Sequence, residues 1–376
     1  MKICLFNVTS TMDRLGSAEV GGVEAYGFGL AAALRERGHD VELWGGRPKE
    51  ALSYPATGVE IRLFEYLETR RVPDLGTRFR RLAQRLHFAW HTRHEFCGRH
   101  FDAVLIFKPY DFVTAWLWRR WGVRSRVVAG IHGPEFYALD RFFCPAVDAL
   151  YAVSPSTARE VEKHYRVKCP VLPNFLDGRR YAFMERGEPR ERLIVSAGRL
   201  VGWKGMAVLI RAFARVKREI PEACLAILGD GPERGSLMEL ADQLGVGGSV
   251  SLPGLADPGR LADYHRRAWV YVQPSIGYES FSISTLEALA RGVAVIVSDR
   301  VGLAEWFGAE NSLETCPHGN EEALACGLTG ILTGSWEAHC ARARRLRTVV
   351  ERRFLVECVI PQIEALCENR SLQSSV

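Results

Sequence analysis

Three clusters in the second half of the chain combine residue types that could do chemistry. In the first, Gly198-Arg199-Leu200 follows an apolar run, and Lys204-Gly205 stands just beyond. Glycine lets a backbone approach a ligand closely, arginine offers a fork of donors and lysine a point charge, so the set suits phosphate oxygens. A lone cation in a loop is ordinarily solvated surface, but two cations with glycines between a strand and a helix read as a binding loop. The second cluster, Gly229-Asp230-Gly231-Pro232, is another strand-to-helix turn, and taken alone it needs no ligand to explain it. The third, Gln273 to Ser282, leads into Ile283, Leu286, Glu287 and Ala288. Glu279 lies just outside the helix start, near the free N–H groups of its first turn. A helical glutamate usually faces solvent, yet Glu287 interrupts a buried-looking segment between Leu286 and Ala288, and a buried carboxylate needs a partner. A pair of sugar hydroxyls is a natural one, because a carboxylate accepts two such bonds side by side.

The elements that must position these residues are strands alternating with helices, the pattern of parallel βαβ units. Met1 to Asn7, with its short apolar run, reads as a first strand, and Val23, Tyr26, Leu30 and Leu34 fall at helical spacing, closed by Arg35, Arg37 and Gly38. Further strands are expected at 41–44, 103–107, 127–131 and 149–153, the last leading through Ser154-Pro155 into a helix. From about Leu172 to Arg192 the alternation lapses into prolines, glycines and charges, which is linker composition. A second series follows: strand 193–197, helix 206–220, strand 223–228, a helix after Pro232, strands 269–273 and 293–298 around a helix through 285–290, and helix from about Glu321 onward. The tail from Ser371 to Val376 is polar, and no internal repeat is visible. Two Rossmann-like domains result, and the carboxyl ends of such sheets, where helix N-termini converge, favour anionic ligands.

Composition bounds the function. With 376 residues, 47% apolar and 25% charged, the chain can bury two cores and lacks the charge excess of a disordered protein. A net charge of +5 is too small for a dedicated nucleic-acid binder, so no nucleic-acid partner is expected. The opening apolar run is too short for a signal peptide and no run reaches a membrane span, giving an expectation of a cytoplasmic protein. Ten cysteines without a CxxC pattern read as reduced thiols and argue against structural zinc. One stretch breaks the α/β rhythm. Between Arg70 and Arg99 stand eight arginines and three histidines against Asp74 and Glu95, with Phe79, Leu82, Leu86 and Trp90 interleaved. A solvated helical face is one reading of it. An anionic membrane surface or acceptor is the other, since roughly 1 kcal/mol accrues per basic residue near an anionic leaflet.

The chain resembles the GT-B fold, family 4 retaining glycosyltransferases. Glu279 and Glu287 with Phe281 and Leu286-Glu287-Ala288 resemble that family's EX7E motif, Gly198-Arg199-Leu200 with Lys204-Gly205 its GRLxxxKG, and Leu228 to Pro232 its GxGP. Gly21-Gly22-Val23-Glu24 with Arg37-Gly38-His39 resembles its N-terminal signature, and Pro173-Asn174-Phe175-Leu176-Asp177 its linker motif. Where the family usually has glycine, this chain has Phe175, Ser280 and Ser282.

The resemblance implies an enzyme moving a sugar from a nucleotide-diphosphate sugar to a hydroxyl acceptor, such as a glycan or lipid-linked glycan. Arg199 and Lys204 would hold the diphosphate and stabilise its leaving charge. Glu287 would bind the ribose hydroxyls, and Glu279 the donor sugar, aided by the N–H groups of Ser280 and Phe281. Gly22, Gly198, Gly229, Gly231, Pro232 and Ser282 would complete the donor site, and His132 matches a histidine near the anomeric carbon. It further implies same-face displacement without a cofactor or metal, the two cations taking the ion's role; no DxD occurs in the sequence. The implied layout is an acceptor-binding domain over 1–175, a linker over 176–190, a nucleotide-sugar-binding domain over 191–355, and over 356–376 a helix and tail, the helix packing back on the N-terminal domain. The place of work is the cytoplasm, peripheral on the inner membrane face. Alternatives are a nucleotide-sugar hydrolase or epimerase of the same fold, and a non-catalytic carbohydrate-binding relic. A dehydrogenase is disfavoured, because no complete GxGxxG follows a strand.

Overall fold

A computed structural model describes residues 1–7, 22–46, 58–65, 67, 76–184, 187, 191–308 and 313–371. Gly21, Arg70, Arg71, Asp74, residues 185, 186 and 188–190 of the expected linker and the tail after Ser371, all used above, lie outside the described residues. The chain forms two compact units, Met1–Phe175 with Val356–Val376, and Leu176–Leu355.

The first unit runs β1 (Lys2–Leu5), α1 (Gly22–Glu36), β2 (Asp40–Gly46), β3 (Glu60–Phe64), α2 (Thr77–Gly98), β4 (Ala103–Ile106), α3 (Phe112–Arg120), β5 (Arg126–Ile131), α4 (Asp140–Phe143), β6 (Ala149–Ala152) and α5 (Pro155–Tyr165). Its sheet has the order β3-β2-β1-β4-β5-β6, with every pairing parallel. Strands covered on both faces must be apolar throughout, and Ala103 to Ile106 are all buried. Phe6 continues from β1 into an aromatic core, edge-on to Trp118 at 4.8 Å, and Phe96 stacks on Trp118 at 4.5 Å. The Ser154-Pro155 signal works as composition predicts: Ser154 Oγ accepts the Thr157 N–H at 3.2 Å while proline fills the first helical position.

The second unit runs β7 (Leu193–Ala197), α6 (Met206–Glu219), β8 (Cys224–Leu228), α7 (Arg234–Gln243), β9 (Val250–Gly254), α8 (Pro258–Arg267), β10 (Ala268–Gln273), α9 (Ile283–Ala290), β11 (Ala294–Ser298), β12 (Glu314–Cys316), α10 (Glu321–Thr333) and α11 (Trp336–Arg353). Its sheet is again parallel, in the order β12-β11-β10-β7-β8-β9. A closing helix, α12 (Val356–Cys367), belongs to the first unit. Its Glu364 accepts Arg37 Nε at 2.6 Å and pairs with His39 Nε2 at 2.9 Å. Burial pushes the Glu364 carboxyl up, but the bonds from Arg37 and His39 outweigh it and hold the group below its ordinary value. Two residues of the Arg37-Gly38-His39 motif thus fasten a helix lying more than three hundred residues on.

Two sequence expectations need refinement. The segment expected as linker has structure of its own: Leu176 N donates to Phe354 O at 2.8 Å, and Arg180 and Tyr181 close a turn on Asp177 O. The basic stretch becomes α2, but much of its charge is already partnered. Arg85 is buried in an ion pair with Asp111, Arg99 Nη1 reaches Glu42 Oε1 at 2.6 Å, and Arg81 reaches Glu135 at 3.2 Å. Phe88, Ala89 and Phe96 supply the buried face of the helix, while Phe79 and Trp90 remain exposed.

Candidate active site

In the second sheet β7 stands between β10 and β8, so the strand order reverses there. Beyond the carboxyl ends of strands at such a reversal lies the crevice where open parallel sheets bind ligands. The loops after β7 and β10 meet at this point: Ile276 N and Gly277 N both donate to Trp203 O at 2.9 Å. That junction brings Lys204 Nζ to 2.5 Å from Glu279 Oε1, with each side chain 11% exposed. Glu279 Oε2 accepts from Ser275 Oγ at 2.5 Å, Ser275 Oγ accepts from Gln273 Nε2 at 3.0 Å, and Gln273 Oε1 accepts from Ser282 Oγ at 3.2 Å. Ser298 Oγ fixes the same loop through Ser275 O at 2.6 Å. A half-buried ion pair is tolerated when its remaining atoms are hydrogen-bonded, and this chain of bonds does that for the carboxylate. Arg199 contrasts with its neighbour: it is exposed, and no ion pair to it occurs among the described residues. Its guanidinium can turn toward an incoming anion without breaking an ion pair among the described residues.

Glu287 stands apart from this pair. Its Oε1 accepts from the Tyr181 hydroxyl at 2.9 Å, on the segment ahead of β7. Burial raises the Glu287 carboxyl above its ordinary range, against the opposing pull of the Tyr181 bond and of the nearby Arg291 and Arg180 charges. A carboxylate with so neutral a partner retains acceptor capacity for ligand hydroxyls.

The glycine turn has a structural reason that suffices by itself. A Cβ at Gly229 would lie 1.9 Å from the Gly198 carbonyl oxygen, and one at Gly231 2.4 Å from that of Leu200. These approaches accompany bonds from Gly198 N to Leu228 O at 2.9 Å and from Leu200 N to Asp230 O at 2.8 Å, which lock the first cluster to the second. Pro232 is exposed beside them. Among the residues replacing family glycines, Ser282 adopts φ 79°, the left-handed region where glycine is at ease. Its hydroxyl holds it there, 2.8 Å from Thr285 Oγ1 as well as on Gln273. Phe175 packs its ring 5.2 Å from that of Tyr26 in the first unit. The Phe281 side chain is buried edge-on to Phe354 at 5.8 Å, so only its main chain is placed to serve a ligand, and Ser280 precedes it half-buried.

In the first unit, Gly22 is exposed at the start of α1. His132, just past the carboxyl end of β5, sits among aromatic edges, 4.5 Å from the Tyr26 ring and 5.7 Å from that of Phe107. Burial, with a lesser push from Lys108, lowers its imidazole to about 3, so the ring is neutral at physiological pH. It can serve as a neutral donor or acceptor at a reacting centre, and it is not a cation.

Sequence reasoning placed Gln273 and Ser275 in its third cluster but gave them no role, and it missed Tyr181. A signal existed for Gln273, a polar residue closing the fully apolar strand Ala268 to Val272, where a buried amide demands partners. Tyr181 carried none, because an aromatic residue among loop charges reads as ordinary packing.

Among known families, the one described as glycosyl transferases group 1 matches residues 182–346, and the one described as glycosyltransferase family 4 matches residues 20–180. A phosphatidyl-myo-inositol mannosyltransferase of Mycolicibacterium smegmatis is 33% identical over 166 residues, 43% of this chain and 42% of that protein. The chain thus spans about two fifths of the length of the curated relatives it matches over this segment. A sucrose-phosphate synthase of Thermosynechococcus elongatus has the same fold at a TM-score of 0.80, with 18% identity over 98% of each chain. Anabaena Alr3699/HepE, solved in complex with UDP and glucose, follows at 0.72, with 18% identity over 98% of this chain and 100% of that one. The two family matches divide the sequence near the point where its contacts divide the fold; the match over 182–346 covers the whole second sheet, that over 20–180 all of the first sheet but β1, and each holds its share of the candidate residues. On that correspondence, the chain belongs to the family 4, group 1 glycosyltransferases.

Proposed function

We propose that the protein is a retaining glycosyltransferase that moves a sugar from a nucleoside diphosphate to a hydroxyl acceptor without a metal ion. The observation that carries this reading is the Lys204–Glu279 pair at the strand-order reversal, a cation for phosphate and a carboxylate for hydroxyls in one preformed junction. Lys204 and Arg199 bind the diphosphate and offset the charge that grows on it as the glycosidic bond breaks. Glu279 and the N–H groups of Ser280 and Phe281 hold the donor sugar, and Glu287 takes the ribose hydroxyls. Gly198, Gly229 and Gly231 shape the loops around the donor; Gly22 and the neutral His132 are the first unit's residues to which the family resemblance gives a role.

With no carboxylate assigned as nucleophile, the acceptor attacks on the face the diphosphate leaves. The acceptor oxygen bonds to the anomeric carbon, the carbon–oxygen bond to the β-phosphate breaks, and the acceptor's proton passes to that departing phosphate oxygen. Positioning and charge stabilisation then supply most of the rate. The name of the mycobacterial relative supports a lipid-borne acceptor for this chain too. So does α2, whose outward face keeps Phe79 41% and Trp90 55% exposed next to Arg93, stacked on Trp90 at 4.1 Å. Among the described residues no helix is long and apolar enough to cross a membrane.

The test is release of nucleoside diphosphate from UDP-, GDP- and dTDP-sugars. Release should need an acceptor hydroxyl and survive EDTA, and Arg199→Ala should slow it by about 10²–10³-fold or more with the fold intact. Acceptor-independent release would point to a hydrolase, and wild-type turnover by the arginine variant would remove its role. For α2, sedimentation with anionic but not neutral vesicles, lost in Trp90→Ala, is expected; equal recovery with both vesicles would end the membrane reading.

A further inference from the structure

We propose that Tyr181 is a positioning residue for nucleotide binding, its hydroxyl holding the Glu287 carboxylate in the orientation that receives the ribose. The inference rests on the donor reading above, in which Glu287 is the ribose acceptor. Tyr181 OH donates to Oε1 at 2.9 Å, and no other side chain hydrogen-bonds to Glu287 among the described residues. One oxygen is therefore fixed by the protein, and the other is left to a ligand hydroxyl.

The tyrosine is itself held from both ends. Arg291, four residues beyond Glu287 and just past the end of α9, lies over its ring at 4.6 Å. Arg347 Nη1, from α11, donates to Tyr181 O at 3.0 Å and to Ala290 O at 2.9 Å, tying the tyrosine backbone to the end of the helix that carries Glu287. A glutamate has three rotatable bonds, and a single fixed oxygen removes most of that freedom before the ligand arrives. Ligand binding then loses less entropy, which is how preorganisation raises affinity. The hydroxyl also favours the ionised carboxylate, the form that accepts from ribose, against the burial that disfavours it.

Tyr181→Phe removes only the oxygen and keeps the ring under Arg291, so the fold is retained. Calorimetric titration with UDP and GDP, and with their 2′,3′-dideoxy counterparts, reads the role directly. The wild type should prefer the ribose form. The variant should bind that form about five- to tenfold more weakly, the worth of one ordinary hydrogen bond, and the dideoxy form as the wild type does. Equal weakening of both forms would mark a merely structural tyrosine and overturn the proposal, as would unchanged binding of both. Glu287→Ala separates this from failure of the donor reading. If that variant loses the ribose preference while Tyr181→Phe keeps it, Tyr181 alone is refuted. If the wild type shows no ribose preference, the assignment of Glu287 falls, and Tyr181 with it.

Discussion

Beyond β7 and β10, a cation and a carboxylate lie 2.5 Å apart inside a chain of serine and glutamine hydrogen bonds; beyond β5, His132 stands neutral among aromatic rings. Both places are carboxyl ends of strands in parallel sheets of the same size and order, so the fold does not set the difference. What differs is the neighbouring material. The second unit surrounds its candidates with donors and acceptors, which keeps charge available in a half-buried place. The first surrounds its histidine with Tyr26, Phe107 and Tyr151, and the Tyr26 and Tyr151 hydroxyls, 2.9 Å apart, satisfy one another. Desolvation then removes the charge. Two similar scaffolds thus place a charged cluster beyond one sheet and a neutral ring beyond the other.

The largest test of this contrast is Lys204→Met. Turnover should fall by about 10²–10³-fold or more, because the diphosphate loses a charge partner. Stability should fall as well, by roughly 3 kcal/mol, because Glu279 is left half-buried without its cation. Pairing the change with Glu279→Gln should recover much of the stability and none of the activity, as read by urea unfolding beside the transfer assay. Recovery of both would show that the pair serves only the fold.

Glycines offer the next test. At Gly229 an added methyl meets backbone, the Gly198 carbonyl at 1.9 Å, at φ 133°, so Gly229→Ala must displace a strand end and should cost roughly 3 kcal/mol. At Gly130, in the first sheet, the methyl meets the Tyr151 hydroxyl at 2.4 Å, a buried side chain rather than backbone. Gly130→Ala should cost less, roughly 1–2 kcal/mol, and should loosen the cage around His132. An equal cost at both sites in denaturant titrations would contradict the distinction between a backbone lock and a side-chain cage.

Acid stability tests the neutral histidine. An imidazole lowered to about 3 in the folded protein, against about 6.5 unfolded, makes the unfolded chain take up the extra proton between those values. The stabilisation from a neutral His132 is full above pH 6.5 and lost as pH falls toward 3. His132→Phe, which has nothing to protonate, should flatten part of the stability decline over that window. An unchanged slope would mean the ring is solvated and titrates normally.

How much of this was legible follows from how local each feature is. β7 and the start of α6 were readable to the residue, because a run of apolar residues bounded by Gly198 and Gly205 is a local pattern. The fold class followed from the alternation of such runs. β3, α3, α4, β9, α8 and β12 were not seen, being short, strongly polar like Pro258–Arg267 or, like Glu60–Phe64, half-buried and mixed in character. α2 was visible as an amphipathic stretch, but the acids that neutralise it, Asp111, Glu42 and Glu135, come from other elements. Arg85 looks like surface charge in sequence and is core in the fold. In the candidate site, residue types marked Arg199, Lys204, Glu279 and Glu287. That Lys204 meets Glu279 while Glu287 meets Tyr181 depends on register between loops far apart in the chain, which no local pattern encodes.

The smallest expected effect belongs to Ser282, and it separates strain from hydrogen bonding at the edge of the charged surface. A left-handed conformation costs a non-glycine residue about 1–2 kcal/mol, and the bonds to Gln273 and Thr285 offset that cost here. Ser282→Ala keeps the strained backbone and loses both bonds, so it should destabilise by about 1–2 kcal/mol. Ser282→Gly also loses the bonds but relieves the strain, at an entropic cost of roughly 0.5–1 kcal/mol in the unfolded chain, and should come out near neutral. The alanine variant should also reduce turnover more than the glycine variant, because Gln273 loses a partner in either case while only alanine leaves the turn before α9 strained. If alanine and glycine prove equal in both unfolding and turnover, the φ of 79° is relaxed in solution, and the serine stands in for glycine by hydrogen bonding alone.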